Sequence, residues 1–149
     1  MEVKNRILMP AMGINFGCDE DGRLTEQLWE YMGARAKGGT GMLIVAGGVV
    51  HHTGFDGQSF PKLWNEEVVG SLKTMSDIAH QYGAKIGVQL YHAGAQADHD
   101  RKVGPSPVPA LAVVKGIPKE LDLEGIKNLL RHYGEAAKRC KDGGFDFLE

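Results

Sequence analysis

The chain has 149 residues, of which 42% are hydrophobic and 24% are charged, and its formal net charge is −2 at pH 7. This length suits one domain with a core of its own, and the near-neutral charge gives no electrostatic basis for binding nucleic acid or an anionic membrane. No apolar run is long enough to span a bilayer, and residues 1–6 lack the apolar core of a signal peptide, so we expect a cytoplasmic protein.

The first predicted elements are a short strand and a helix. Residues 7–12 are an apolar run in which Pro10 lacks the N–H of a ladder hydrogen bond, so the strand should end or bend there. After a turn-rich loop, Thr25 is placed to cap a helix whose apolar side chains recur at helical spacing. Gly38 and Gly39 should end this helix.

A second strand, a long loop, a second helix and a third strand follow. The apolar run at 42–46, closed by two glycines, has the length of a buried strand. Residues 49–62 have no period and predict a long loop, which is often functional. Asn65 should cap a helix that ends near Tyr82, and the β-branched pattern of residues 84–90 predicts a buried parallel strand.

The last part of the chain predicts an irregular segment, a third helix and a fourth strand. Residues 96–119 contain four prolines and no period, and Asp122 should then cap a helix. The apolar stripe of this helix, expected to face the core, is Leu123, Ile126, Leu130, Tyr133, Ala137 and Cys140. Residues 145–148 begin the fourth strand.

The predicted order, β-α-β-α-β-α-β, indicates an α/β fold with a parallel sheet and right-handed crossovers. Both an open doubly wound sheet and part of a (β/α)₈ barrel fit this order. The sequence has no Gly-x-Gly-x-x-Gly and no Gly-Lys-Ser/Thr motif, which weakens the dinucleotide and P-loop alternatives. Long polar segments follow the strands, as in a barrel, but a barrel needs about eight strands, so the chain would supply half of one.

Polar side chains collect where the third strand ends. Gln89, Tyr91 and His92 lie at its carboxyl end, which is where parallel sheets and barrels bind ligands. The Gln89 amide offers both donors and an acceptor to a ligand. His92 could contact a ligand or hold the following loop, and we expect the second role.

Two histidines and two cysteines give weaker indications of a functional site. Adjacent residues of an extended strand point to opposite faces, so His51 and His52 are not predicted to form a metal site. Cys18 has no base beside it in sequence, and Cys140 lies on an apolar stripe. We expect both to be reduced thiols without a catalytic role.

Five segments, taken in order, form a recognisable set. They are residues 5–13 (Asn-Arg-Ile-Leu-Met-Pro-Ala-Met-Gly), 31–45, 80–94 (ending Gln-Leu-Tyr-His-Ala-Gly), 104–106, and 136–140 with 143–149. Together they resemble the old yellow enzyme family of NADH:flavin oxidoreductases, especially its branch of 2-enoate and 2,4-dienoyl-CoA reductases. The resemblance covers nearly the whole chain and implies residues 1–149 as the N-terminal part of an FMN-binding (β/α)₈ TIM barrel.

The resemblance also implies a set of cofactor-binding residues. Ala11, Met12 and Gly13 would line one side of the flavin, and Gly47 would lie beside its ring. Gln89 would hydrogen-bond the pyrimidine edge. The implied reaction is transfer of hydride from NAD(P)H through FMN to an activated C=C bond of a small unsaturated substrate.

The sequence departs from the family pattern in several places. Gly13 stands where several branches have Cys or Thr, so any tuning of the flavin there would come from the backbone alone, and Ala95 stands where Arg is frequent. The substrate-binding histidines and the proton-donating tyrosine of the family would lie beyond Glu149, as would any FAD domain or 4Fe-4S cluster. The catalytic residues are therefore not assigned, and we expect this chain alone to be inactive.

Alternatives remain open at this stage. A phosphate-binding half-barrel without flavin and a non-catalytic folding unit both fit the same elements. In either case a four-stranded half-barrel would leave edge strands and apolar surface exposed, so a homo-oligomer is expected.

Overall fold

The computed structural model describes residues 1–98, 100–110 and 116–149. Its strands and helices are β1 (Leu8–Met9), α1 (Glu26–Lys37), β2 (Met42–Val49), α2 (Val68–Gln81), β3 (Lys85–Tyr91), β4 (Val103–Gly104), β5 (Lys119–Glu120), α3 (Leu123–Asp142) and β6 (Phe147–Leu148). Short 3₁₀ turns at His52–Gly54 and Gly94–Gln96 follow β2 and β3. Among the described residues, no helix has the length and hydropathy of a membrane-spanning segment.

A parallel sheet with the strand order β1-β2-β3-β6 organises the chain. Every neighbouring pair in it is parallel, with α1, α2 and α3 as the crossovers between consecutive strands. The predicted alternation of strands and helices is therefore confirmed. This arrangement brings all the strand carboxyl ends to one edge of the sheet.

The core lies between the sheet and the helices. Alternate side chains of the two central strands enter it, and α2 contributes fully buried residues from its apolar stripe. The central members of this core are Leu43, Val45, Ile86, Val88, Leu72 and Met75. The intervening side chains of the central strands, including that of Gln89, point to the opposite face of the sheet.

Element boundaries differ from the predictions at three places. β1 stops before Pro10, as expected, but β2 continues to Val49. α2 begins at Val68, because the Asn65 side chain accepts a hydrogen bond from the Glu67 N–H (3.1 Å) in a turn that precedes the helix. The segment 96–119, predicted to be irregular, contributes β4, which pairs with β5.

The predicted cap of α3 is confirmed, and its predicted core face is confirmed in the C-terminal half of the helix but wrong in the N-terminal half. The Asp122 carboxylate accepts a hydrogen bond from the Gly125 N–H at 2.7 Å. Ala136 and Cys140 are fully buried, whereas Leu123 is 75% exposed and Leu130 is 65% exposed. Burial is confined to the C-terminal half of the helix, so its first turns extend beyond the surface that the sheet and α2 provide.

Candidate functional site

A bulge between β2 and β3 sets the geometry of the strand ends. Val45 pairs with Val88 and Gly48 pairs with Leu90, so the two residues between them on β2 both lie opposite Gln89. One of these two is Gly47, whose φ of +67° lies in the left-handed region that favours glycine. The predicted residues Gly47 and Gln89 are therefore neighbours across the strands.

Phe60 brings a second predicted position to the same place. A β-carbon built on Gly47 would lie 2.5 Å from Cγ and Cδ1 of the Phe60 ring, and one built on Gly13 would lie 3.4 Å from its Cζ. The ring therefore lies directly against Gly47, whereas at Gly13 an added methyl group would only just reach it. It is 8% exposed, which makes it one of the most buried side chains of the loop between β2 and α2.

Of the remaining predicted residues of the first strand, Met12 lies beside this ring. Met12 is 44% exposed, and together with Phe60 it lines a shallow apolar cavity that also includes Ala46 and Tyr31. Ala11 is half-buried immediately before Met12. The predicted positions thus share one end of the sheet, with Phe60 between those of the first and second strands.

The Gln89 amide is half-buried and open to an external partner. Within the described ranges, no protein group forms a hydrogen bond with its side chain. Tyr91, the next polar residue on this face of β3, does have a partner. Its hydroxyl donates to Oδ2 of Asp56 at 3.0 Å. Burial and the Asp56 carboxylate raise the pKa of Tyr91 to about 12, so its hydroxyl stays protonated.

Histidines collect around Thr53 on the adjoining surface. The Thr53 hydroxyl lies 2.7 Å from Nδ1 of His51 and 3.1 Å from Nε2 of His92. The ring of His51 lies 4.1 Å from that of His52 and 4.4 Å from that of His132, centroid to centroid. Burial, then the nearby His52, His132 and His92, lower the pKa of His51 to about 4, so it is neutral at pH 7.

Two predictions about these histidines can now be compared with the structure. His51 and His52 do not point to opposite faces, because a 3₁₀ turn begins at His52 and the extended geometry ends before it. His92 accepts a hydrogen bond from the Gly94 N–H at 3.0 Å and so holds the following loop, as expected. In the part of the chain that the structure describes, no group of three His, Cys, Asp or Glu side chains could hold a metal ion.

Cys18, in the loop between β1 and α1, is not an activated thiol. Its burial, with the Asp19 carboxylate next in effect, raises the pKa of the thiol to about 12. The thiol is therefore protonated at neutral pH.

The four parallel strands, their crossover helices and the open amide at their carboxyl ends fit part of an α/β barrel, with a candidate ligand site at the strand ends. The sequence profile of the NADH:flavin oxidoreductase / NADH oxidase family matches residues 1–149. The chain belongs to this family.

Similar proteins agree with this assignment. An NADPH dehydrogenase from Listeria monocytogenes is 37% identical over 148 residues, which are 99% of this chain and 44% of that protein. The fold is similar to that of morphinone reductase (TM-score 0.88, 23% identity, 98% of this chain and 43% of that one). It is also similar to that of an old yellow enzyme homologue from Zymomonas mobilis (TM-score 0.83, 25% identity, 97% and 43%). The chain thus spans less than half the length of these relatives, and its fold is that of part of their TIM barrel.

Proposed function

We propose that this chain is the FMN-binding part of a cytoplasmic NAD(P)H-dependent flavin oxidoreductase that reduces activated C=C bonds, of the enoate, enone or dienoyl type. Residues 1–149 would then be the N-terminal part of its barrel. The structural observation that carries the proposal is the unpartnered Gln89 amide opposite Gly47, at the mouth of a parallel half-barrel. Membership of a flavin oxidoreductase family supports the choice of cofactor.

The residues at this mouth fit a flavin in their chemistry. A flavin has a flat apolar body and one polar edge that both donates and accepts hydrogen bonds. The exposed side chain of Met12 suits the body, and the half-buried Gln89 amide suits the edge.

In this proposal each residue has a defined task. Ala11, Met12 and Gly13 would line one side of the flavin, Gly47 would permit close approach of the ring, and Gln89 would fix the orientation of the pyrimidine edge. The chemistry that FMN supplies when bound is hydride exchange between reduced nicotinamide and the unsaturated substrate. The protein groups at the mouth would bind and orient, and would exclude water from the buried side.

A binding titration tests the proposal. The purified chain should quench or shift the fluorescence of added FMN in a saturable way, and Gln89→Leu should weaken FMN binding about tenfold. The reason is that the flavin edge would lose a hydrogen-bond partner, which costs about 1–3 kcal/mol. The matched control is Gln27→Leu, the same change at an exposed position of α1.

Saturable binding that is lost in both Gln variants, or in neither, would contradict the assigned role of Gln89. A folded chain that shows no FMN binding at all would contradict the proposed cofactor, and would favour a half-barrel without flavin.

We further propose that the chain forms a homo-oligomer. Three apolar side chains of α3 at helical spacing, Leu123, Ile126 and Leu130, are 75%, 43% and 65% exposed, which is unfavourable in water. Light scattering should give a mass above 16.2 kDa at high concentration, and Leu130→Glu should shift the mass toward that of one chain. A monomer at all concentrations would contradict this.

A further inference from the structure

A second cavity, of about 160 Å³, lies between α3 and the turn that follows β2. Three polar residues line it, His51 and Thr53 from the turn and Asn128 from α3. The rest of its lining is Gly125 and three apolar side chains, Val103, Leu121 and Leu129. A cavity of about 150 Å³ can hold a benzene ring, so this one has room for a molecule with one six-membered ring.

A directional chain of hydrogen bonds fixes the proton of a histidine beside this cavity. The Gly94 N–H donates to Nδ1 of His92 at 3.0 Å, so that nitrogen carries no proton and the His92 proton lies on Nε2. This Nε2 lies 3.1 Å from the Thr53 hydroxyl, which therefore accepts from it. The hydroxyl has one proton of its own, which it donates to Nδ1 of His51 at 2.7 Å.

The same reasoning assigns the proton of His51. Its Nδ1 also accepts from the Thr53 N–H at 3.3 Å, so the proton of the neutral ring lies on Nε2. Within residues 1–98, 100–110 and 116–149, no protein group accepts a hydrogen bond from this Nε2–H. His51 therefore keeps one oriented donor for a partner outside the chain.

Asn128 offers a second donor to the same cavity. Its Oδ1 accepts from Nη2 of Arg131 at 2.6 Å, whereas its Nδ2 has no acceptor among the described residues. Both donors are uncharged, and the described lining contains no Lys or Arg. The Asp122 carboxylate lies 2.7 Å from the N–H of Gly125, which is part of the lining. A bound anion would meet this carboxylate without a cation to pair with, so the donors suit an uncharged acceptor.

We propose that this cavity is a second binding site, which takes a small uncharged molecule with an apolar body and a carbonyl oxygen, such as a cyclic ketone. The Nε2–H of His51 and the amide of Asn128 would donate to the carbonyl oxygen, and the leucine side chains would cover the body. Thr53 would be a positioning residue, because its hydroxyl fixes the proton of His51. FMN has no part in this site, so the proposal and the proposed function can fail independently.

Nitrogen-15 NMR of the histidine rings, with the full chain and cyclohexanone, tests the site. Cyclohexanone has a carbonyl but no C=C bond, so it is not a substrate of the proposed reaction. It should shift the His51 Nε2 resonance in a saturable way. Methylenecyclohexane has CH₂ in place of the oxygen and should bind about tenfold more weakly, because two donors would lose their acceptor.

Matched variants test the role of His51. His51→Phe keeps a flat ring without the donor and should weaken cyclohexanone binding about tenfold, followed at the methyl resonances of Leu129. His52→Phe makes the same change at the next residue, outside the described lining, and should leave the affinity nearly unchanged. Thermal melts of both variants establish that they are folded.

The wild-type spectrum keeps the test decisive if His51→Phe does not fold. It should show the protons of His51 and His92 on Nε2. Thr53→Val should move part of the His51 population to the Nδ1–H form, and Thr53→Ser should restore the wild-type spectrum and affinity.

Four results would overturn the proposal. They are a His51 proton on Nδ1 in the wild type, no saturable shift with cyclohexanone, equal binding of the two compounds, and equal effects of the two Phe variants. Tighter binding of cyclohexanecarboxylate than of cyclohexanone would overturn the uncharged class of ligand.

Discussion

Replacing Gly47 by alanine should lower the free energy of unfolding by about 2–5 kcal/mol. Two physical costs add at this position. Its φ of +67° costs an L-residue about 1–2 kcal/mol, and the added methyl group would lie 2.5 Å from the Phe60 ring, an overlap that costs about 1–3 kcal/mol to relieve. Chemical denaturation of the wild type and the variant measures the difference.

The two costs can be separated by controls within the same chain. Gly83 has nearly the same φ (+66°), but a β-carbon there meets only Cδ of Lys4, at 3.8 Å, so Gly83→Ala reports the backbone cost alone. In a Phe60→Leu background, which removes the ring, Gly47→Ala should cost less than it does in the wild type. Equal costs at Gly47 and Gly83 would show that the ring does not press on Gly47.

The same substitution bears on the proposed cofactor site. In the proposed function Gly47 lies beside the flavin, so a methyl group there would hinder its close approach, and FMN affinity should fall together with stability. Gly83→Ala lies just before the amino end of β3 and should leave FMN affinity unchanged. An unchanged affinity in Gly47→Ala would mean that the flavin does not approach Gly47.

The alternation of strands and helices could be predicted from the sequence because it depends on local rules. Apolar runs of strand length, helical stripes and glycine stops each report on a few neighbouring residues. The order of strands in the sheet then follows from the short connections and from the handedness of crossovers. The cap of α3 by Asp122 is another local feature, and it was correctly predicted.

Phe60 could not be found in this way, because its role depends on contacts distant in sequence. It lies 47 residues after Gly13 and within a loop that has no period, so nothing local marks it. The nearest signal was the glycine at position 47, which implied close approach of some group without identifying it. The exposed stripe of α3 was mispredicted for a related reason, since periodicity shows which residues share a face but not what that face meets.

The second large loss of stability is expected at Asp146. This residue lies near the amino end of β3, away from the candidate site at the carboxyl ends of the strands. It lies just before β6, its side chain is 13% exposed, and its carboxylate accepts three hydrogen bonds. The donors are Nε2 of His80 (2.7 Å), Nζ of Lys85 (2.8 Å) and the Ile86 N–H (2.9 Å). One carboxylate therefore ties the last strand to β3 and to α2.

Asp146→Asn should lower the free energy of unfolding by about 2–3 kcal/mol at pH 7, because it removes the charge from hydrogen bonds that a carboxylate strengthens. The control is Asp77→Asn, which breaks an ion pair with Lys73 whose side chains are 61% and 64% exposed. A pair so exposed contributes little, so the control should change stability by no more than about 0.5 kcal/mol. Equal losses in the two variants would show that Asp146 acts as an ordinary surface charge.

The pH dependence of stability distinguishes this charge effect from a change of packing. Burial disfavours the ionised carboxylate, but hydrogen bonds from Lys85, His80 and the Ile86 N–H outweigh burial and hold the pKa of Asp146 below its usual value. Between that lowered pKa and the ordinary value of about 3.9, the unfolded chain binds more protons than the folded one, so stability rises with pH. The contribution of Asp146 is therefore complete above the ordinary value and is lost as the pH falls through the lowered one. Asn cannot titrate, so the stability difference between wild type and Asp146→Asn should be constant near neutral pH and should shrink below about pH 4. A difference that stays the same down to the acid limit would assign the effect to packing.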